Sequence, residues 1–232
     1  MEFNALYLIL WLYVGAFITW ATETLGSIIK IIGMSAKKNL IFASVVQSIS
    51  VFSRLGFFMQ ALSIAWIVDQ KILMDSRLEL AFGYLFITFI SVFLTHFFGL
   101  KLVTQVYTKI NRVAVNSIFN DVKIISIYEN GSKPKLLQII VYVMLYAGGF
   151  FPILLQLIFP EFAARGVALA SIVNGLSTII LVSFYDLKTS MEIQEAEVSN
   201  IPIQLIYSRY AAIMIILIFG FILYFNSIFI FI

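Results

Sequence analysis

The sequence predicts an all-α polytopic membrane bundle of about six transmembrane helices, and three observations carry that expectation. The 232 residues are 62% hydrophobic and only 12% charged, with a mean hydropathy of +1.02, which excludes an ordinary soluble globule. Several apolar runs exceed the ~20 residues that cross a hydrocarbon core about 30 Å thick. Lipid offers the backbone no hydrogen bonds, so runs of this length satisfy themselves as helices rather than as strands of a barrel.

The first span covers about Phe3 to Ile32 and is interrupted by Thr22-Glu23-Thr24 and by Lys30. It is too long for the apolar region of a signal peptide, and Glu2 stands before it in place of Lys or Arg, so it reads as a span. The second, Leu40–Val68, carries one formal charge, Arg54, with fourteen uncharged residues on either side. The third is about Leu78–Val103. From Thr104 to Lys135 the chain turns polar, with Val106, Ile110, Val113 and Ile118 at near-helical spacing among Lys109, Arg112 and Lys123. That pattern predicts an amphipathic interfacial helix or an extension of the third span. Asn130-Gly131-Ser132-Lys133-Pro134 breaks it. The fourth span, Leu136–Phe159, holds Gly148-Gly149 and Pro152, a kink site. The fifth is about Val167–Tyr185. An acidic linker with Glu192, Glu195 and Glu197 leads to the sixth, about Tyr210–Ile232.

The odd-numbered loops hold eleven Lys and Arg residues and the even-numbered loops three. The positive-inside rule then puts the odd loops in the cytoplasm and both termini outside. Residues 36–51 lie over 163–178 without a gap, five of sixteen positions being identical, among them Ala43/Ala170, Ser44/Ser171 and Ser50/Ser177. Spans two and five would be equivalents of opposite orientation, an inverted-repeat pattern known from transporters. The chain is therefore read as one integral membrane domain, 1–232, with candidate 3+3 repeat halves 1–103 and 136–232 joined by the amphipathic cytoplasmic segment 104–135.

With no cysteine, disulfides, thiolate nucleophiles and Cys-ligated metals are excluded. The net charge of +3 is concentrated in loops, as topology signals are, and does not point to nucleic acid. No HExxH, Walker, GxSxG or paired-carboxylate pattern occurs, so no catalytic residue, metal or cofactor is expected. The single histidine, His96, reads as a hydrogen-bonded structural residue.

The candidate site residues lie inside the spans. A guanidinium at mid-bilayer costs at least about 2.5–3.5 kcal/mol, so Arg54 needs a partner or a water-filled cavity. Gln47, Ser50 and Arg54 share one helix face at i, i+3 and i+7, and Ser171, Asn174 and Thr178 repeat the spacing in the fifth span. Those amides and hydroxyls suit a sugar or phosphate, or equally interhelical hydrogen bonds. In the first span Gly15, Thr19, Thr22, Gly26, Lys30 and Gly33 form one small or polar stripe, with Glu23 beside it. The stripe is either a close helix seam or the wall of a hydrated cavity.

These residues resemble one family, the small alternate lipid II flippases of bacteria of the Amj type. The resemblance runs through Glu23-Thr24, Lys30, Gly33, Lys38, Ser44, Ser53-Arg54, Gln60 and Val68-Asp69. It resumes at Ser132-Lys133-Pro134-Lys135-Leu136-Leu137, Ser171-Ile172-Val173-Asn174-Gly175, Thr178-Ile179 and Asp186. Glu23, Lys30 and Gln47 stand where the family pattern has Asp, Arg and Asn, each keeping its charge or amide. The resemblance implies a multi-pass protein of the bacterial cytoplasmic membrane that moves the undecaprenyl-diphosphate peptidoglycan precursor to the outer leaflet.

On that footing Arg54 is expected to meet the diphosphate, because its planar fork binds phosphate oxygens and stays charged when desolvated. Lys30 would receive the headgroup at the cytoplasmic mouth, and Gln47 and Asn174, flanked by Ser50 and Thr178, would bind sugar or peptide. Glu23 would neutralise Arg54 when the site is empty. The expected partners are the lipid-linked precursor and membrane lipid, and a small enclosure suggests a homodimer. The rival readings are a structural partner in an envelope complex and, third, an enzyme acting on polyprenyl phosphates.

Overall fold

The computed structural model describes residues 2–35, 39–69, 77–111, 134–158, 163–186, 191 and 201–230. Six long helices make up nearly all of this: α1 Glu2–Ser35, α2 Asn39–Asp69, α3 Arg77–Asn111, α4 Leu136–Ile158, α5 Ala163–Ile180 and α6 Ile201–Ile230. A π-helical segment, Leu181–Asp186, extends α5. All six are long and apolar enough to cross a membrane, and the protein is a multi-pass helical membrane protein.

The first span is one helix that runs straight through the polar residues interrupting its apolar run. Its polar residues are accommodated by hydroxyls donating one turn back, Thr22 Oγ1 to the Ile18 carbonyl at 2.7 Å and Thr24 Oγ1 to the Trp20 carbonyl at 2.7 Å. The hydroxyls are thereby satisfied within the helix and do not need to leave it for a partner. The second span is likewise continuous. Of the amphipathic segment, Thr104–Asn111 continues α3; its remainder up to residue 133 and the acidic linker at 192–200 lie outside the described residues.

The sixth span needs a correction. Its helix begins at Ile201, with Pro202 in the first turn, where a fixed φ and a missing N–H do no harm. Arg209, assigned from sequence to a loop, therefore sits eight residues inside the helix.

Cross-helix contacts fix the topology. Glu23 meets Ser53, Gly26 faces Val46 and Gly15 faces Gly56, so α1 and α2 are antiparallel. His96 meets Tyr210, and Gly220 lies against Phe82. The helix ends at Ser35, Asn39, Asn111, Leu136, Asp186 and Ile201 consequently share one side of the bundle, called the lysine-rich end after the loops that join there.

α1 packs chiefly on α2 and α3, and α4 chiefly on α5 and α6. That parallel does not by itself establish an inverted repeat. Among the described residues, α5 and its π extension bury only Ala170, Ser177 and Tyr185. Large apolar side chains such as Phe58, Phe86, Phe97, Ile172 and Phe184 face outward, as lipid allows. The interior has two apolar clusters. One contains Leu12, Trp20, Tyr84, Tyr146, Phe150 and Ile216; the other, nearer the lysine-rich end, contains Ile28, Ile32, Ile203 and Ile206.

Candidate functional site

Between those two clusters lies a polar layer built around Arg209. On α1, Glu23 falls between Trp20 and Ile28; on α6, Arg209 falls between Ile206 and Ala212. Glu23 is nine residues from Ile32 and Arg209 eight from Ile201, so at about 1.5 Å per residue both lie about 12–14 Å inside the lysine-rich ends of their spans. That is close to mid-bilayer.

Arg209 is 1% exposed. Its Nη2 donates to the Glu23 carbonyl at 3.0 Å and lies 3.8 Å from Glu23 Oε2. The guanidinium carbon stands 5.0 Å from the centre of the Tyr142 ring, within cation–π range. Ser53 on α2 donates to Glu23 Oε1 at 2.8 Å. Beside this pair His96 Nδ1 and the Tyr210 hydroxyl are 3.1 Å apart, which fits the structural role expected for the histidine. Arg209 Nε and Nη1 and the Tyr146 hydroxyl are buried without a hydrogen-bond partner in the protein. A buried arginine therefore retains donor capacity, while its carboxylate partner is 36% exposed.

Two turns further from the lysine-rich end, Gln60 ties three helices together. Its Nε2 donates to Thr19 Oγ1 at 2.6 Å and to the Gly15 and Gly56 carbonyls at 3.2 and 3.3 Å, and its Oε1 accepts from the Tyr84 hydroxyl at 2.8 Å. Glycine makes this possible: a Cβ on Gly56 would stand 2.7 Å from the Gly15 carbonyl oxygen. The Gly15–Thr19 part of the α1 stripe is thus a close helix seam, whereas Gly26 meets Val46 at an ordinary 3.7 Å from its would-be Cβ.

Gln60 and Tyr84 also line a cleft with Phe57, Gly148, Gly149 and Asn174, among others. Tyr84 sits over Gly149 and Asn174 over Gly148, where a Cβ would collide with either. The cleft's volume of about 50 Å³ holds a few waters at roughly 10–15 Å³ each. It is too small for a saccharide.

The sequence-predicted residues are only partly brought together. Glu23 is in the layer, but it pairs with Arg209 and does not neutralise Arg54. Lys30 is half-buried on α1, seven residues towards the lysine-rich end, and is engaged by neighbours. Arg54 does not face the interior: Ser53, Gly56, Gln60 and Ser63 form the buried edge of α2, and Arg54 lies exposed beside it. Gln47 is exposed too, and the Ser50 hydroxyl donates to the Gln47 carbonyl at 2.6 Å. Asn174 lines the cleft with its Oδ1 unpartnered, while the exposed Thr178 donates to the Asn174 carbonyl at 2.8 Å. Arg209 is the residue that sequence reasoning missed, and the Pro202 helix-start signal could have found it.

Fold and site together define a polytopic α-helical membrane protein with a charged layer at mid-depth. Compared with known protein families, curated proteins and solved structures, the chain matches none. Among the described residues, no three His, Asp or Glu side chains cluster to hold a metal.

Proposed function

We propose that this protein is a flippase that carries the undecaprenyl-diphosphate-linked peptidoglycan precursor, lipid II, from the inner to the outer leaflet of the bacterial cytoplasmic membrane. Such a protein must pass a diphosphate and sugars through hydrocarbon while the polyprenyl tail stays in lipid. It needs a fixed cation in the interior whose partner can be exchanged. The observation that carries the reading is Arg209: a guanidinium buried at mid-depth, two of its nitrogens without acceptors, beside a carboxylate that is itself partly exposed. In this reading the diphosphate displaces the Glu23 carboxylate from Arg209, and Ser53 and solvent hold Glu23 meanwhile. Lys30, on the same helix, meets the headgroup nearer the lysine-rich end. The resemblance to the Amj-type flippases supplies the cargo. The reading assigns no catalytic step.

The test is reconstitution of purified protein into liposomes carrying a fluorescent lipid II, scored by its exposure to a membrane-impermeant quencher. Wild-type protein should accelerate exchange between leaflets, and Arg209→Met should abolish it. Exchange at the protein-free rate with folded wild-type protein, or full activity in Arg209→Met, sinks the proposal. A structural role in an envelope complex is a second reading, favoured by the bare face of α5. It predicts co-purifying envelope proteins and no exchange by the isolated protein.

A further inference from the structure

Arg54 is fifteen residues from each end of α2, hence about 22 Å from either end along the axis. It is exposed at that depth, and among the described residues it has no ion pair or hydrogen bond. A lone guanidinium facing hydrocarbon is costly enough to draw in an anion. The surroundings say which anion.

Ser50, Arg54, Phe57 and Ala61 follow one another at i, i+4, i+7 and i+11, one edge of α2. Phe57 and Ala61 line the cleft against Val167, Ala170 and Asn174 of α5, so this edge faces α5. Towards the lysine-rich end the two helices no longer cover each other. Gln47 and Arg54 are exposed on α2, as are Gly175 and Thr178 on α5, and from Ser44 to Phe52 no residue of α2 is buried. The two polar stripes thus form the rims of a crevice. The cleft walls at Phe57 and Ala61 bound it on one side, and the unburied stretch Ser44–Phe52 leaves it uncovered towards the lysine-rich end. Val51, Leu55 and Phe58, all exposed, flank Arg54 with apolar surface.

We infer that this crevice is a binding site for the phosphate end of an anionic lipid from the leaflet at that end, with Arg54 at its outer rim as the phosphate contact and the chain passing out of the crevice over the lipid-facing Val51, Leu55 and Phe58. A second copy of the protein is the poorer occupant. Among the described residues Glu23 is the one carboxylate at mid-depth, and it is held inside by Ser53 and Arg209; Asp69, Glu79 and Asp186 lie near helix ends. A partner copy would bury Arg54 without a counter-charge, whereas a lipid phosphate supplies one. The inference rests on the flippase reading only for its place in transport, since the crevice would be where cargo waits before reaching Arg209.

Binding is measured in detergent, where sidedness plays no part. Native mass spectrometry of wild-type, Arg54→Ala, Arg54→Lys and Thr178→Trp proteins is run with undecaprenyl phosphate, phosphatidylcholine and inorganic diphosphate. Wild-type protein should retain undecaprenyl phosphate at least about tenfold more strongly than Arg54→Ala, and Arg54→Lys should fall between. Thr178→Trp, on an exposed position, should lose retention by filling the crevice while keeping Arg54. Because the chain has no cysteine, a lone Ser50→Cys reports the crevice directly. Its labelling by a charged maleimide should be slowed by undecaprenyl phosphate, while that of Trp66→Cys, exposed at the other end of α2, should not. Equal retention by wild-type and folded Arg54→Ala protein overturns the inference. So does equal competition by inorganic diphosphate, or protection of Ser50→Cys that follows protein concentration and not lipid. Retention without leaflet exchange would instead overturn the flippase reading alone.

Discussion

Separating Glu23 from Arg209 should cost stability unequally, depending on which partner is removed. At about 4 Å and an effective dielectric near 20, opposite unit charges attract by about 4 kcal/mol. The 3.8 Å separation is in that range, but the Glu23 side chain is 36% exposed, so screening reduces the figure to roughly 1–3 kcal/mol. Glu23→Gln leaves Arg209 buried with a backbone carbonyl and the Tyr142 ring. It should destabilise by roughly 1–3 kcal/mol, less than the roughly 3–5 kcal/mol of breaking a fully buried pair, because Glu23 is partly exposed. Arg209→Met removes the buried charge and leaves a carboxylate that reaches solvent, so its effect should stay within about 1 kcal/mol. In the Arg209→Met background, Glu23→Gln should then be almost silent. Unfolding of the four proteins in one detergent closes the cycle. Trp20 is a built-in reporter, buried three residues before Glu23 with its ring centre 4.2 Å from that of Tyr146. Additivity within about 0.5 kcal/mol would refute the coupling, and with it the claim that Glu23 is Arg209's counter-charge.

The other predictions concern the scaffold. Gly56→Ala places a methyl 2.7 and 2.8 Å from the Gly15 carbonyl oxygen and the Thr19 amide nitrogen; α1 and α2 must part, at about 1–3 kcal/mol. Gly175→Ala meets nothing within 4 Å and should stabilise α5 by up to about 1 kcal/mol through helix propensity. Unfolding midpoints that rank these two in the opposite order would refute the close α1–α2 seam. His96→Phe keeps an aromatic ring beside Tyr207 and Tyr210 and loses one hydrogen bond, for about 0.5–1.5 kcal/mol. A loss above about 3 kcal/mol in the same unfolding assay would mean the histidine does more than anchor Tyr210.

The spans were legible because length and hydropathy alone decide whether a helix crosses lipid: the fifth, read as Val167–Tyr185, lies within the helix Ala163–Ile180 and its extension to Asp186. Side-chain direction was not legible. The α2 helix carries two polar edges about 130° apart, Ser53-Gly56-Gln60-Ser63 and Gln47-Ser50-Arg54. Only the close approach of Gly15 to Gly56 chooses between them, and that is a property of the α1–α2 pair rather than of either sequence. Arg209 was hidden differently. Gln204, Ser208 and Arg209 dilute the apolar run just where it begins, so a reading based on hydropathy starts the helix at Tyr210 and discards the arginine as a topology signal.

The π segment closing α5 has a consequence for how this chain can change. Ser177 and Tyr185 are both buried although eight residues apart, a spacing that would turn Tyr185 about 80° away from Ser177 in a straight α-helix. Hydrogen bonding from i to i+5 widens the turn over Leu181–Asp186 and brings the tyrosine back onto the same stripe. The segment therefore behaves as a one-residue insertion absorbed without moving its anchor. Deleting a single residue between Leu181 and Phe184 should restore a regular helix there, with Tyr185 still seated. A one-residue deletion between Ala170 and Ser177 has no such slack and should unseat the helix. Natural length variation among homologues should be confined accordingly, tolerated in the last turn of α5 and absent from the turns before it.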